Sequence, residues 1–171
     1  MKTRIYNEGQ LIKERLAEIS DYIYNNPELG NEEYKAVEAL TTFLKEHNFQ
    51  VECPIADMDT AFKATFDSGK PGMTIGYLCE YDALPKIGHG CGHNLIGVMS
   101  SGAAVALSKV LDEIGGKIIV YGTPADETNG GKVILAEAGV FDELDAAMIV
   151  HPDGETRASG SSSALYPIRF I

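Results

Sequence analysis

An α/β fold, with a mostly parallel sheet and helices on both faces, is predicted for this chain by three observations. Near-continuous apolar runs at Met73–Cys79, Lys117–Tyr121 and Ala146–Val150 have the pattern of strands buried in a parallel sheet. Helical patterns separate these runs, and strand–helix alternation marks an α/β layer. The 171 residues, 44% of them hydrophobic, suffice for one domain with a real core and fall short of two.

The elements follow in chain order. Ile12, Leu16, Ile19 and Ile23 recur at spacings of four, three and four, which predicts a helix over about Glu8–Tyr24 with one buried stripe. Asn25-Asn26-Pro27 stops it, and Pro27–Gly30 is a turn. Asn31 is expected to cap a second helix, with Glu32 and Glu33 in its first turn and Val37, Leu40 and Leu44 inward. His47 near its end is expected to make a favourable dipole contact. Gln50–Cys53 is a short strand. Thr60–Asp67 alternates, with Phe62, Ala64 and Phe66 on one side. Ser68–Gly72 is a turn before the first apolar run. A Gly-rich loop at Gly88–Gly92 leads into a long helix, Asn94–Ile114, ended by Gly115-Gly116. Lys132–Ala138 is a short helix closed by Gly139. Ser159–Ser163 is small and polar, as in a linker, and Ala164–Ile171 opens a new strand. Residues 1–160 therefore form one unit and 161–171 the start of another.

Composition narrows the classes of function. A formal net charge of -11 disfavours nucleic acid and anionic membrane surfaces as partners. No stretch approaches the ~20 apolar residues of a membrane span. Three cysteines, Cys53, Cys79 and Cys91, are too few and odd in number for a secreted disulfide framework, so a cytoplasmic location is expected. Cys53 and Cys79 lie in strand patterns and are expected in the core.

Ligands of open α/β sheets sit at the carboxyl ends of the strands. Asp82, the loop residues Cys91 and His93, the pair Asp126 and Glu127, and His151 all fall just past such ends, with His89 close by as a supporting residue rather than a ligand. Thiolate, imidazole and carboxylate are the usual zinc ligands. Cys91-Gly92-His93 offers two donors in one tight loop. Taken singly, each has a structural reading: Cys91 as a small apolar residue, His93 as a cap, the acids as solvated loop residues, His151 as a strand-end histidine. Their convergence on one edge favours a metal site.

The motifs Asn26–Glu33, Tyr81–Pro85, His89–Asn94, Pro124–Glu127 and Val150–Pro152, in that order, resemble the di-metal amidohydrolase family of hippurate hydrolases, auxin-conjugate hydrolases and p-aminobenzoyl-glutamate hydrolase. Asn94, where many members have Asp, looks most like the p-aminobenzoyl-glutamate hydrolase and dipeptidase-like branch. The resemblance implies a zinc-peptidase-like catalytic domain, here incomplete, interrupted by a lid or dimerisation domain that begins near Ala164 and through which complete members form homo-oligomers. It puts Cys91, His93, Glu127 and His151 on metal-ligand positions and Asp126 on that of the general base, usually Glu. Asp82 and His89 take supporting places. The implied cofactors are two divalent ions, zinc first because of the thiolate, with manganese or cobalt as alternatives. The implied reaction is hydrolysis of a small-molecule amide by a metal-activated water.

Members of the family are more than twice this length and supply a further metal-binding His near their C-terminus. Little hydrolysis by these residues alone is therefore expected. Two other readings stand beside it: a catalytically inactive chain that retains partial metal binding, and a thiol hydrolase with Cys91 as nucleophile and His93 or His151 as base, which would leave Asp126 and Glu127 idle.

Overall fold

The computed structural model describes residues 1–155. The expected linker, the strand from Ala164 and the unit boundary at 160 lie outside them. Helix α1 spans Lys2–Asn25, α2 Tyr34–Glu46, α3 His93–Ser108, α4 Leu111–Ile114 and α5 Gly131–Glu137. Strands β1 (Gln50–Glu52), β2 (Phe62–Asp67), β3 (Thr74–Cys79), β4 (Lys117–Gly122) and β5 (Ala146–Met148) form one sheet in the order β1-β2-β4-β3-β5. β3 runs parallel to both β4 and β5, so the segment after Met73 is the parallel part. β1 and β2 extend it as an antiparallel edge, and the sheet as a whole is mixed.

The main core lies between the sheet and α1–α3. Ile19 and Ile23 of α1, Leu40, Phe43 and Leu44 of α2, and Val98 and Val105 of α3 pack on Phe62, Ala64, Cys79, Ile118 and Val120. The predicted stripe of α1 is complete, because Ile12 and Leu16 also touch this cluster. On the opposite face, Tyr121 meets Phe141 edge-on, with ring centroids 5.2 Å apart. Beside it, Leu135 of α5 joins Met58 and Ala61 in a second, smaller cluster.

Several local expectations are corrected. α1 begins six residues earlier than the stripe implies, and its first turns are largely exposed. Asn31 does not cap α2: it sits at φ 69°. The Glu28 carboxylate instead accepts from the backbone N–H groups of Lys35 (2.9 Å) and Ala36 (3.1 Å), satisfying donors that the helix itself cannot. His47 stands at the C-cap of α2, as expected, and also packs edge-on against Phe43; burial, helped by Lys109, lowers its pKa. The long helix breaks at Lys109–Val110 into α3 and α4. Cys53 is exposed, whereas Cys79 is buried. β5 is exposed along its whole length despite its apolar sequence, because it is the edge of the described sheet.

Candidate metal centre

Parallel pairing sets the geometry of the site. β3 and β4 end in register, Cys79 opposite Gly122, so the chain leaves both strands at one rim. Past β3 come Glu80 and Asp82; past β4, Asp126 and Glu127; past β5, His151. α3 starts at the same rim, with His93 as its first residue. Gly92 before it adopts φ 77°, and a Cβ there would lie 2.9 Å from Pro152. A residue without a side chain is therefore required for the His151–Pro152 segment to close over the Cys91–His93 loop.

His93 is the hub. It is 1% exposed. Its Nδ1 lies 2.9 Å from Asp82 Oδ1, and the second Asp82 oxygen accepts from the Glu127 backbone N–H at 2.9 Å. Asp82 thus orients the ring and anchors the acidic loop together, as carboxylates behind metal-ligating histidines do. With Nδ1 donating, Nε2 faces Glu80 Oε2 at 3.4 Å and Glu127 Oε1 at 3.6 Å. Neither His93 Nε2 nor Glu80 Oε2 has a hydrogen-bond partner, although both atoms are buried. A lone pair facing two carboxylates is repulsive unless a proton or a metal cation sits between them. Burial alone would lower the His93 pKa, but the Asp82 hydrogen bond and the charges of Glu80, Asp82 and Glu127 outweigh it and raise it.

Two donor groups converge within 4.8 Å: Cys91, His93 and Glu127; and Glu80, His93 and His151. The His93 and His151 rings lie 5.8 Å apart, nearly perpendicular. Cys91 and His151 line one cavity of about 440 Å³, together with Tyr24, His89 and Leu95. A hydrogen bond to Glu127, then burial and nearby acids, push the Cys91 thiol up to about 11. That opposes the thiol-hydrolase reading, which needs an acidic thiol. Burial lowers the pKa of His89, which falls in neither donor group.

Asp126 makes an ion pair with Lys132 Nζ, which also holds Glu80 Oε1 at 2.5 Å. Among these groups, the four carboxyl groups of Glu80, Asp82, Asp126 and Glu127 face a single ammonium, so acidic groups are in excess at the rim. The orphaned buried atoms, the donor types and this acidic excess fit a divalent cation.

Sequence reasoning misses three residues of this site: Glu33, Glu80 and Lys132. Glu80 obeys the same strand-end rule as Asp82 and was legible. Lys132 carries no such signal. Glu33 looks like a first-turn acid, yet it is fully buried and accepts from Thr60 Oγ1 (2.7 Å) and the Ala125 backbone N–H (2.8 Å). It holds Ala125, at φ 62°, directly before Asp126. The Pro27–Gly30 turn packs on the same loop: a Cβ on Gly30 would lie 2.4 Å from Thr128 Oγ1.

No family model matches the chain. Curated relatives do. The chain is 41% identical over 162 residues to the Xaa-Arg dipeptidase of Mus musculus, covering 85% of this chain and 36% of that protein. It is 36% identical over 160 residues to a p-aminobenzoyl-glutamate hydrolase polypeptide of Escherichia coli K12, covering 82% and 33%. The crystal structure of a dinuclear metal-binding peptidase of the M20 family from Bacillus subtilis shares the fold, with a TM-score of 0.72, 23% identity and coverage of 81% and 42%. The chain spans about a third of the length of the curated relatives it matches. In sequence the chain is thus similar to these peptidases and amidohydrolases over about a third of their length, and in fold to the M20 peptidase.

Proposed function

We propose that this chain is the N-terminal part of the catalytic domain of a metal-dependent amidohydrolase, acting on an N-acyl amino acid, a dipeptide or an aminobenzoyl-glutamate-like substrate. The observation that carries the proposal is the buried His93 Nε2, without a partner and facing two carboxylates, with Cys91 and His151 beside it. The named activities of the dipeptidase and hydrolase relatives support the substrate class.

Cys91, His93, Glu127 and His151 would hold the metal, with Asp82 fixing the His93 tautomer. When bound, a divalent ion supplies Lewis acidity that acidifies water and polarises an amide carbonyl. A thiolate donor favours zinc, with manganese or cobalt as alternatives. Two ions are proposed, in keeping with the excess of acidic groups. Asp126 is the general base: it accepts the water's proton and delivers it to the leaving amine. Its side chain is 34% exposed, so water reaches it, and Lys132 holds it in place. His89 supports the wall of the cavity.

The protein is read as cytoplasmic, a reading supported by three free cysteines. No helix among the described residues is long and apolar enough to cross a membrane. The complete protein is read as a homo-oligomer that binds a small amide and neither nucleic acid nor membrane.

A second reading, an inactive chain that retains metal binding, is favoured by Asp126 itself. It is one methylene shorter than Glu and tied to Lys132. Elemental analysis of the purified chain, of Cys91→Ser and of His151→Ala tests the centre, and hydrolysis of the three substrate classes tests catalysis. Metal in the parent and its loss in both variants are expected; equal metal in all three refutes the assignment. Because little hydrolysis is expected of these residues alone, it is metal without hydrolysis in the complete protein that selects the second reading.

A further inference from the structure

We propose that Glu80 is a further protein donor to this metal centre and that Lys132 is the residue that positions it. The inference rests on the metal-centre reading above and extends it to a residue outside the four donors of that reading.

Glu80 is 3% exposed. A buried carboxylate is tolerated only when its charge is met. Here one oxygen is met and the other is not. Lys132 Nζ holds Oε1 at 2.5 Å, while Oε2 is buried without any hydrogen-bond partner. That bare oxygen lies 3.4 Å from the equally bare Nε2 of His93. Glu80, His93 and His151 each present a donor atom within 4.8 Å of the others. Two buried acceptors facing each other at this distance call for a proton or a metal cation between them, and with His151 as a third donor beside them the set is that of a metal site.

Lys132 cannot be that cation, because its ammonium already spans Glu80 Oε1 and Asp126. Its effect is directional. It pins one Glu80 oxygen and thereby turns the other towards His93. The same ammonium ties the donor to the proposed base. Glu80 leaves β3 one residue after Cys79, whose place opposite Gly122 is fixed by the sheet, so its backbone is set by strand pairing rather than by a loose loop.

Cobalt(II) titration of the purified chain tests this, because its visible bands report the donor set and a thiolate charge-transfer band reports Cys91. The parent should bind cobalt with both signatures. Glu80→Gln, close to the parent in shape, should bind about 10–100-fold more weakly, the scale for losing a donor or its support. It should show altered visible bands and keep the thiolate band. Lys132→Met should alter the visible bands in the same sense with an unchanged circular dichroism spectrum. Visible bands in Glu80→Gln identical to the parent, whatever the affinity, overturn the proposal and leave the centre standing. No cobalt in the parent overturns the centre and this proposal with it. Should Glu80→Gln fail to fold, Glu80→Asp decides by the same criterion, its shorter side chain altering the bands only if residue 80 ligates.

Discussion

Replacing Glu33 separates the scaffold of the site from its chemistry. Its carboxylate is fully buried and accepts two hydrogen bonds, from Thr60 Oγ1 at 2.7 Å and the Ala125 N–H at 2.8 Å. Glu33→Ala strands both donors, each at a cost of roughly 1–3 kcal/mol, and removes the tie that keeps Ala125 at φ 62°. Part of that loss is offset, because the buried charge disappears as well. A net destabilisation of about 2–4 kcal/mol is expected. Glu33→Gln differs: its carbonyl can accept from Ala125 while its amide donates to the Thr60 hydroxyl, so the cost should stay below about 1 kcal/mol. The pH dependence adds a second test. Burial raises the Glu33 pKa above its ordinary 4.5, against the lowering effect of its hydrogen bonds. A folded state that holds the proton more tightly than the unfolded chain has this contribution in full below pH 4.5 and loses it as the pH climbs through the raised value. Glu33→Gln has no such loss, so its stability relative to the parent should improve from pH 4.5 towards neutrality. Urea denaturation of the three proteins across this range measures both effects. Equal destabilisation by Ala and Gln, with no drift with pH, would refute the reasoning.

Three further outcomes follow from the same structure. Asp82→Asn, which weakens the hydrogen bond that orients His93, should reduce zinc affinity about 10–100-fold by calorimetry, and unchanged affinity would remove Asp82 from its supporting role. Zinc at a hundred times its dissociation constant should stabilise the chain by about 2.7 kcal/mol, a rise in Tm of about 5–10 °C that a chelator reverses. A melting curve indifferent to zinc would contradict a folded-state site. Gly122→Ala should cost about 1–3 kcal/mol, because the added Cβ would lie 2.2 Å from Phe62 Cδ1 and 2.6 Å from Tyr81 Oη. An unaltered urea midpoint would show that this corner of the core has slack.

The amino-acid pattern by itself determined the elements and the rim. Apolar runs located β3, β4 and β5, the period of Ile12, Leu16, Ile19 and Ile23 located the buried face of α1, and the strand-end rule put Asp82, Cys91, His93, Asp126, Glu127 and His151 at one edge. These features are local: each follows from residues a few positions apart. What only the tertiary structure decided depends on partners distant in sequence. Glu28 caps a helix that begins six residues later, Glu33 holds a loop 92 residues on, and Lys132 joins Glu80, 52 residues before it, to Asp126. An acid in a helix's first turn reads the same whether solvent or another loop lies opposite, because periodicity reports which face is buried and not against what. The burial that makes Glu80 and Glu33 consequential arises only when the sheet closes and two loops meet at its rim.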